Sequence, residues 1–263
     1  RLRDGGVYVI TGGLGGLGLV AAEEIARAAK SPTLVLLGRR GLPDRDGWDA
    51  YAAERGDTDP TALKIARVRE LEAQGATVIP AQADVTNVAQ MRALLEQVRE
   101  AHGPVRGVVH TAGVVRDELL QMKGLSTIEE VFAPKVHGTL VLDELVVREG
   151  APHAKECDFV LLYSSTSTAI APTGQVDYVA ANAFLDAYAE QRASEWAEGP
   201  RVTSLHWGIW RDVGMAAEAF DRTDLSAGPD ELPPTEGPFF QGRVRDARGL
   251  THLVATIAPE HER

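Results

Sequence analysis

Val7-Tyr8-Val9-Ile10-Thr11-Gly12-Gly13-Leu14-Gly15-Gly16-Leu17-Gly18 decides the fold of this chain. A β-favouring run passes straight into a glycine-rich turn, and Leu19 to Lys30 then reads as a helix. Strand, glycine turn and helix together make a nucleotide-binding βα unit. Glycines allow positive φ and let the backbone approach a pyrophosphate, while the free N–H groups at the positive end of the helix face the anion. Thr11, Gly12, Gly15, Gly16, Leu17 and Gly18 are the candidate contacts. Alone, such a turn would suit the phosphates of other ligands, or serve only as a tight connection.

The next strand, Thr33-Leu34-Val35-Leu36-Leu37-Gly38, ends in Arg39-Arg40. An acidic residue at this distance would hydrogen-bond a ribose 2′-hydroxyl, whereas arginine offers a planar cation to a 2′-phosphate. The pattern therefore points to NADPH, with Arg39 as the phosphate ligand and Arg40 either stacked on adenine or facing water. Two solvated arginines at a strand end would look the same.

Beyond Arg40 a polar, acidic segment runs from Gly41 to Pro60 without an assigned element, followed by a helix from Thr61 to Gln74 that Gly75 stops. Strands are expected at Thr77 to Ala81, Val105 to His110, Asp158 to Tyr163 and Val202 to Trp207. Helices are expected at Asn87 to Ala101, Ser126 to Arg148 and Val176 to Trp196. Alternation of this kind predicts an α/β fold with a doubly wound parallel sheet and ligands at the carboxyl ends of its strands. Residues 1–226 read as one catalytic domain, 227–238 as a proline-rich linker, and 239–263 as a segment outside the first globule.

Composition narrows the function classes. The 263 residues are 44% hydrophobic, enough for a substantial core, and no stretch approaches the length of a membrane span. A net charge of −11 argues against general nucleic-acid binding. The lone Cys157 precludes an internal disulfide, fits a reducing cytoplasm, and should pack as a small hydrophobe. No spacing of histidine, cysteine and carboxylate suggests a metal. The chain opens at Arg1 instead of methionine and is expected to be part of something longer.

Several motifs in fixed order carry a resemblance. Thr11-Gly12-x-x-x-Gly16-x-Gly18, Asp84-Val85, His110-Thr111-Ala112-Gly113, Tyr163-Ser164-Ser165, Tyr178-Val179-Ala180-Ala181-Asn182, Trp207-Gly208-Ile209-Trp210 and Gly214-Met215 succeed one another over residues 5–220. The chain resembles the short-chain dehydrogenases/reductases, and more narrowly the catalytic half of a ketoreductase domain from a modular or iterative polyketide synthase. The resemblance implies a Rossmann-like fold, NADPH as cofactor, adenine held by Asp84 and Val85, and Thr111, Ala112 and Gly113 beside the nicotinamide ribose. It also implies an acyl carrier protein as partner, whose phosphopantetheine arm bears the substrate, and other domains of the same synthase. The segment from Pro238 bears a weaker likeness to the opening of a dehydratase domain, an activity that would remove water from the alcohol just formed.

The chemistry asks for particular groups. Adding a hydride to a ketone leaves an alkoxide, which needs a proton donor, a second hydrogen bond and a nearby positive charge. Tyr178 suits the donor, its phenol expected to be made more acidic by a neighbouring ammonium. Ser165, at the end of the preceding strand, would give the second hydrogen bond. Ordinary members of the resembled family carry lysine four residues after the tyrosine; here Asn182 stands there, on the same helix face. Ala133-Pro134-Lys135-Val136-His137-Gly138 resembles the synthase segment in which lysine replaces asparagine, so Lys135 and Asn182 form a swapped pair. His110 is expected to be structural. Val115-Arg116-Asp117 keeps only the last aspartate of a Leu-Asp-Asp motif that the resemblance links to the D-configured alcohol. Asp117 and Met215 are the candidate substrate-orienting residues, and Ile170, where the opposite class has tryptophan, favours the D outcome. A free-standing oxidoreductase and a cofactor-binding module without reductase activity remain the alternatives.

Overall fold

A computed structural model describes residues 2–195, 198–208 and 210, and the backbone of 252–255. Seven parallel strands form one sheet in the order β3-β2-β1-β4-β5-β6-β7. They are β1 (Val7–Thr11), β2 (Thr33–Gly38), β3 (Thr77–Gln82), β4 (Val105–His110), β5 (Phe159–Ser165), β6 (Arg201–Trp207) and β7 (His252–Ala255). The doubly wound sheet expected from the sequence is the sheet observed. Strand order reverses between β1 and β4, and such a switch point opens a crevice beyond the carboxyl ends of the two strands.

Residues of β1 serve both faces. Tyr8 and Ile10 pack with Ala22 and Ile25 of α1 (Gly16–Ala28) and with Ile65, Val68 and Leu71 of α3 (Pro60–Ala73). Val7 and Val9 pack with Met91, Leu95 and Val98 of α4 (Val88–His102) and with Leu185 and Ala189 of α8 (Val176–Glu195). Burial on both faces explains why β1, β2 and β4 read as continuous apolar runs without alternation. Gly75 adopts φ +93° after α3 and ends that helix as expected.

Three expectations are corrected. The segment from Gly41 to Pro60 is not wholly irregular: it holds a 3-10 turn, Arg45–Gly47, and α2, Trp48–Arg55, anchored by a buried Trp48 whose Nε1 donates to Pro43 O at 2.8 Å. The single helix expected from Ser126 to Arg148 is a relay of α5 (Leu125–Phe132), a π-helical turn (Ala133–His137), α6 (Gly138–Leu142) and a second π-helical turn (Asp143–Val147). Pro134, which has no N–H to donate, sits in the first π turn. Third, β7 lies within the segment set apart at 239–263, yet pairs in parallel with β6, so those four residues belong to the same sheet. The linker at 227–238, Met215 and, apart from β7, the dehydratase-like stretch from Pro238 lie outside the described residues.

Two glycines of the first turn are required by space. An added Cβ at Gly13 would stand 2.6 Å from Ile10 O, and one at Gly18 would stand 2.3 Å from Gly12 O, both unyielding backbone atoms. Gly18→Ala is therefore expected to lower unfolding free energy by about 1–3 kcal/mol through overpacking. Gly47→Ala, at φ −91° with open space around its Cβ, should change it by no more than about 0.5 kcal/mol. Urea unfolding of the two variants beside the unmodified protein checks the contrast.

Candidate active site

The crevice at the switch point is a cleft of about 400 Å³. Its floor is the glycine turn, its far wall the ends of β2 and β3, and its near wall the loop after β4, closing against Val114, Ala133 and Pro134. Gly12, at φ +68°, turns the chain out of β1; a Cβ there would meet Ala112 N at 2.9 Å. Gly15, the N-cap of α1, offers no side chain, so Gly16, Leu17 and Gly18 present N–H groups without intrahelical acceptors to the cleft. Such a cradle fits a pyrophosphate.

Arg39 and Arg40 are exposed at the cleft rim where β2 ends, with Lys64 of α3 beside them. Among the described residues none of the three forms an ion pair, which leaves a cationic rim suited to a further phosphate. Nothing in its sequence context singled out Lys64, which the fold of α3 brings to the rim. Asp84 caps its own turn, its Oδ1 accepting from Thr86 N at 2.9 Å and from Thr86 Oγ1 at 2.7 Å, and lines the cleft with buried Val85. Thr111 N and Oγ1 both donate to Thr11 O, at 3.1 and 2.7 Å, pinning the start of the Thr111-Ala112-Gly113 loop to β1.

The acid–base candidates gather beyond this end of the cleft. Tyr178 projects from the first turn of α8, with the Ser165 and Asn182 side chains near enough to its hydroxyl to lower its pKa. Asn182 is fully buried; its Nδ2 donates to Tyr178 O at 2.8 Å, and its Oδ1 has no donor among the described residues. Lys135 is 3% exposed, donates from Nζ to Tyr163 O at 2.7 Å, and lies 5.7 Å from the centre of the Tyr178 ring. The π-helical turn directs this lysine inward, and Gly138 packs closely behind it, since a Cβ there would stand 2.9 Å from Val85 Cγ1. Asp117 Oδ2 accepts from Gln175 Nε2 at 3.2 Å, which places it near the start of α8.

Electrostatics correct one expectation. Burial pushes the Tyr178 phenol up, and what pulls it back is hydrogen bonding to Asn182 and Ser165; the nearby Asp117 raises it further. Burial also brings the Lys135 ammonium down to about 8, opposed by Asp186. His110, with Nδ1 2.6 Å from Thr11 Oγ1, is brought down to about 3 by burial and then by the Lys135 charge. It is a neutral structural imidazole, the place its sequence context suggested. Cys157 is buried and its thiol is pushed up to about 12 by that burial, as befits a packed hydrophobe.

The family model described as "KR domain" matches residues 6–212. The chain belongs to the KR domain family. Curated relatives similar to this chain include polyketide synthase PksN of Bacillus subtilis, 35% identical over 219 residues, 82% of this chain and 4% of the relative. The 5-methyl-1-naphthoate synthase of Streptomyces sahachiroi is 39% identical over 225 residues, covering 86% of this chain and 12% of the synthase. The chain thus spans a small part of these multidomain relatives. Among solved structures, a ketoreductase domain from the bacillaene assembly line superposes with a TM-score of 0.76 at 33% identity, covering 97% of this chain and 57% of that one. The first-module ketoreductase of phoslactomycin biosynthesis from Streptomyces gives 0.78 at 30% identity, covering 98% and 53%. The KR domain therefore has the short-chain dehydrogenase/reductase fold and is a ketoreductase domain of the polyketide-synthase kind, an oxidoreductase class that generally uses NAD(P)H.

Burial of neutral His110 makes stability depend on pH. Its folded-state pKa lies below the unfolded value near 6.5, so the unfolded chain binds more protons between about 6.5 and 3. The contribution is present above pH 6.5 and is lost as pH falls toward 3. Urea unfolding at a series of pH values, for the unmodified protein and His110→Gln, should give a difference curve sloping by up to about 1.4 kcal/mol per pH unit across this window. Parallel curves would contradict it.

Proposed function

We propose that this KR domain reduces a β-ketoacyl thioester to the β-hydroxyacyl thioester with NADPH, the thioester arriving on the phosphopantetheine arm of an acyl carrier protein. One observation carries the reading: Lys135 is buried with its ammonium 5.7 Å from the centre of the Tyr178 ring, and the Ser165 and Asn182 side chains lie near the hydroxyl of that ring. A module that had lost reductase activity has no need to keep this set together.

The glycine turn would hold the pyrophosphate, Asp84 and Val85 the adenine, Arg39 with Arg40 the 2′-phosphate, and Thr111 to Gly113 the nicotinamide ribose. When bound, the reduced dinucleotide supplies the hydride. Tyr178 is protonated at neutral pH, as a donor must be, with burial pushing its phenol up from an ordinary value near 10. Its proton passes to the carbonyl oxygen as the carbon accepts the hydride, and Ser165 donates a second hydrogen bond to that oxygen. The phenolate left behind gains from the Lys135 cation beneath its ring. Asn182 holds the helix turn that carries Tyr178. Asp117, in the loop facing α8, orients the substrate toward the D-configured alcohol. Tethering the substrate to a carrier by a short flexible link gives an effective concentration in the millimolar range, so weak affinity for the acyl group suffices.

Two measurements test this. With a β-ketoacyl thioester the protein should oxidise NADPH far faster than NADH, and Arg39→Asp should move the preference by about 1–3 kcal/mol in kcat/KM; equal use of both cofactors by the unmodified protein would overturn the NADPH assignment. Tyr178→Phe should lower kcat by about 10² or more with NADPH affinity little changed in a binding titration. A normal rate from that variant would remove Tyr178 as donor.

A further inference from the structure

We propose that Lys123 and Asp177 are positioning residues: their buried ion pair fixes the loop carrying Asp117 against the first turn of α8, and so sets the carbonyl face presented to the reacting groups. The inference rests on the ketoreductase reading above for its functional consequence, and on the structure for the clamp itself.

Lys123 Nζ lies 2.9 Å from Asp177 Oδ2, with the two side chains 0% and 1% exposed. The same ammonium donates to the Arg116 carbonyl, and Asp177 Oδ1 accepts the Tyr178 N–H at 2.9 Å. One buried pair therefore ties the residue before Asp117 to the residue that bears the proton donor. Two further bonds run in parallel: Glu118 N donates to Gly174 O at 3.1 Å, and Gln175 Nε2 donates to Asp117 Oδ2 at 3.2 Å.

Apolar packing does not hold the far end of this loop. Leu119, Leu120 and Met122 are 48%, 63% and 67% exposed. Between β4 and a 3-10 turn at Leu120–Met122 the backbone has no regular structure to fix it. A buried ion pair adds little net stability compared with an apolar pair of the same size, because both charges are desolvated. Its geometry, by contrast, is narrow: Lys123 must meet the Asp177 carboxylate and the Arg116 carbonyl together. Asp117 thereby stands at a set separation from Tyr178, and a misplacement of about 1 Å in such a site can cost on the order of 10²-fold in rate. Loss of that separation lets a ketone bind by either face.

Asp177→Asn and the double variant Lys123→Met/Asp177→Leu test the clamp, the second removing both charges so that no unpaired ion is buried if the first does not fold. Amide hydrogen exchange, read peptide by peptide, and chiral analysis of the alcohol formed from one β-ketoacyl thioester are the two readouts. Exchange across residues 112–122 should rise about tenfold or more while β1 and α1 stay protected, and the second alcohol stereoisomer should appear as kcat falls 10- to 100-fold. NADPH affinity by titration should stay within about twofold. A folded variant whose exchange in that segment is unchanged, or whose product is the same single isomer as that of the unmodified protein, overturns the proposal. If the unmodified protein reduces no β-ketoacyl thioester, the functional reading fails by itself, and the exchange measurement still judges the clamp.

Discussion

Thr11 joins the two halves of the sheet at the point where its strand order reverses. Its carbonyl accepts from both N and Oγ1 of Thr111, and its hydroxyl lies 2.6 Å from the buried His110 Nδ1. The loop after β4 is thus held to the end of β1, and the glycine turn leaves β1 at the next residue. Cradle and loop face each other across the cleft because one threonine serves both. Had the imidazole been charged, this junction would bury a cation beside Lys135; its low pKa comes from dryness first and from that neighbouring charge second.

Lys135 is the second constraint. A lysine in helical sequence would ordinarily reach for water, and here it is almost wholly enclosed. Two features make the enclosure possible. The π-helical turn around Pro134 rotates the side chain toward the sheet, and Nζ finds the Tyr163 carbonyl in a strand end. With its pKa near 8 the ammonium still predominates at neutral pH, helped by Asp186. A cation retained in a dry site acts strongly on whatever charge develops nearby. The fold supplies that charge from a π turn bonded to β5, and not from the position on α8 four residues after the tyrosine, where Asn182 stands.

The sequence showed β1 to β6 plainly, because each is a short strand-favouring run between polar segments, while β7 was not read; the crossover helices α1, α3, α4 and α8 followed from their periodicity. Boundaries moved by a residue or a few. Ser165 and Tyr178 could be paired from their positions at a strand end and the next helix start, and the structure places the Ser165 side chain near the Tyr178 hydroxyl. What escaped has physical reasons. α2 hides in an acidic stretch bounded by Pro43 and Gly56, with Trp48 as its one fully buried residue. The π turns keep a helical pattern of side chains while changing which face Lys135 occupies. Lys64 and the Lys123–Asp177 pair join residues far apart in sequence, with no local signal that one will meet the other. The raised phenol of Tyr178 depends on burial, which residue identity alone does not report.

Binding and chemistry are built from different parts of this fold. The cleft that suits a dinucleotide is made by strand ends and the loops leaving them, where backbone N–H groups and glycines allow close approach. The proposed acid–base set comes mainly from two helical segments, the π turn with Lys135 and the first turns of α8 with Tyr178 and Asn182, joined by Ser165 at the end of β5. Sheet geometry is rigid and fixes the first; helix packing fixes the second. Their relative placement then depends on the few polar links between the loop after β4 and α8, because Leu119, Leu120 and Met122 at the far end of that loop face outward. Selectivity for one face of a ketone is a difference in the alignment of two sites, so it is most sensitive where those sites are joined by few contacts.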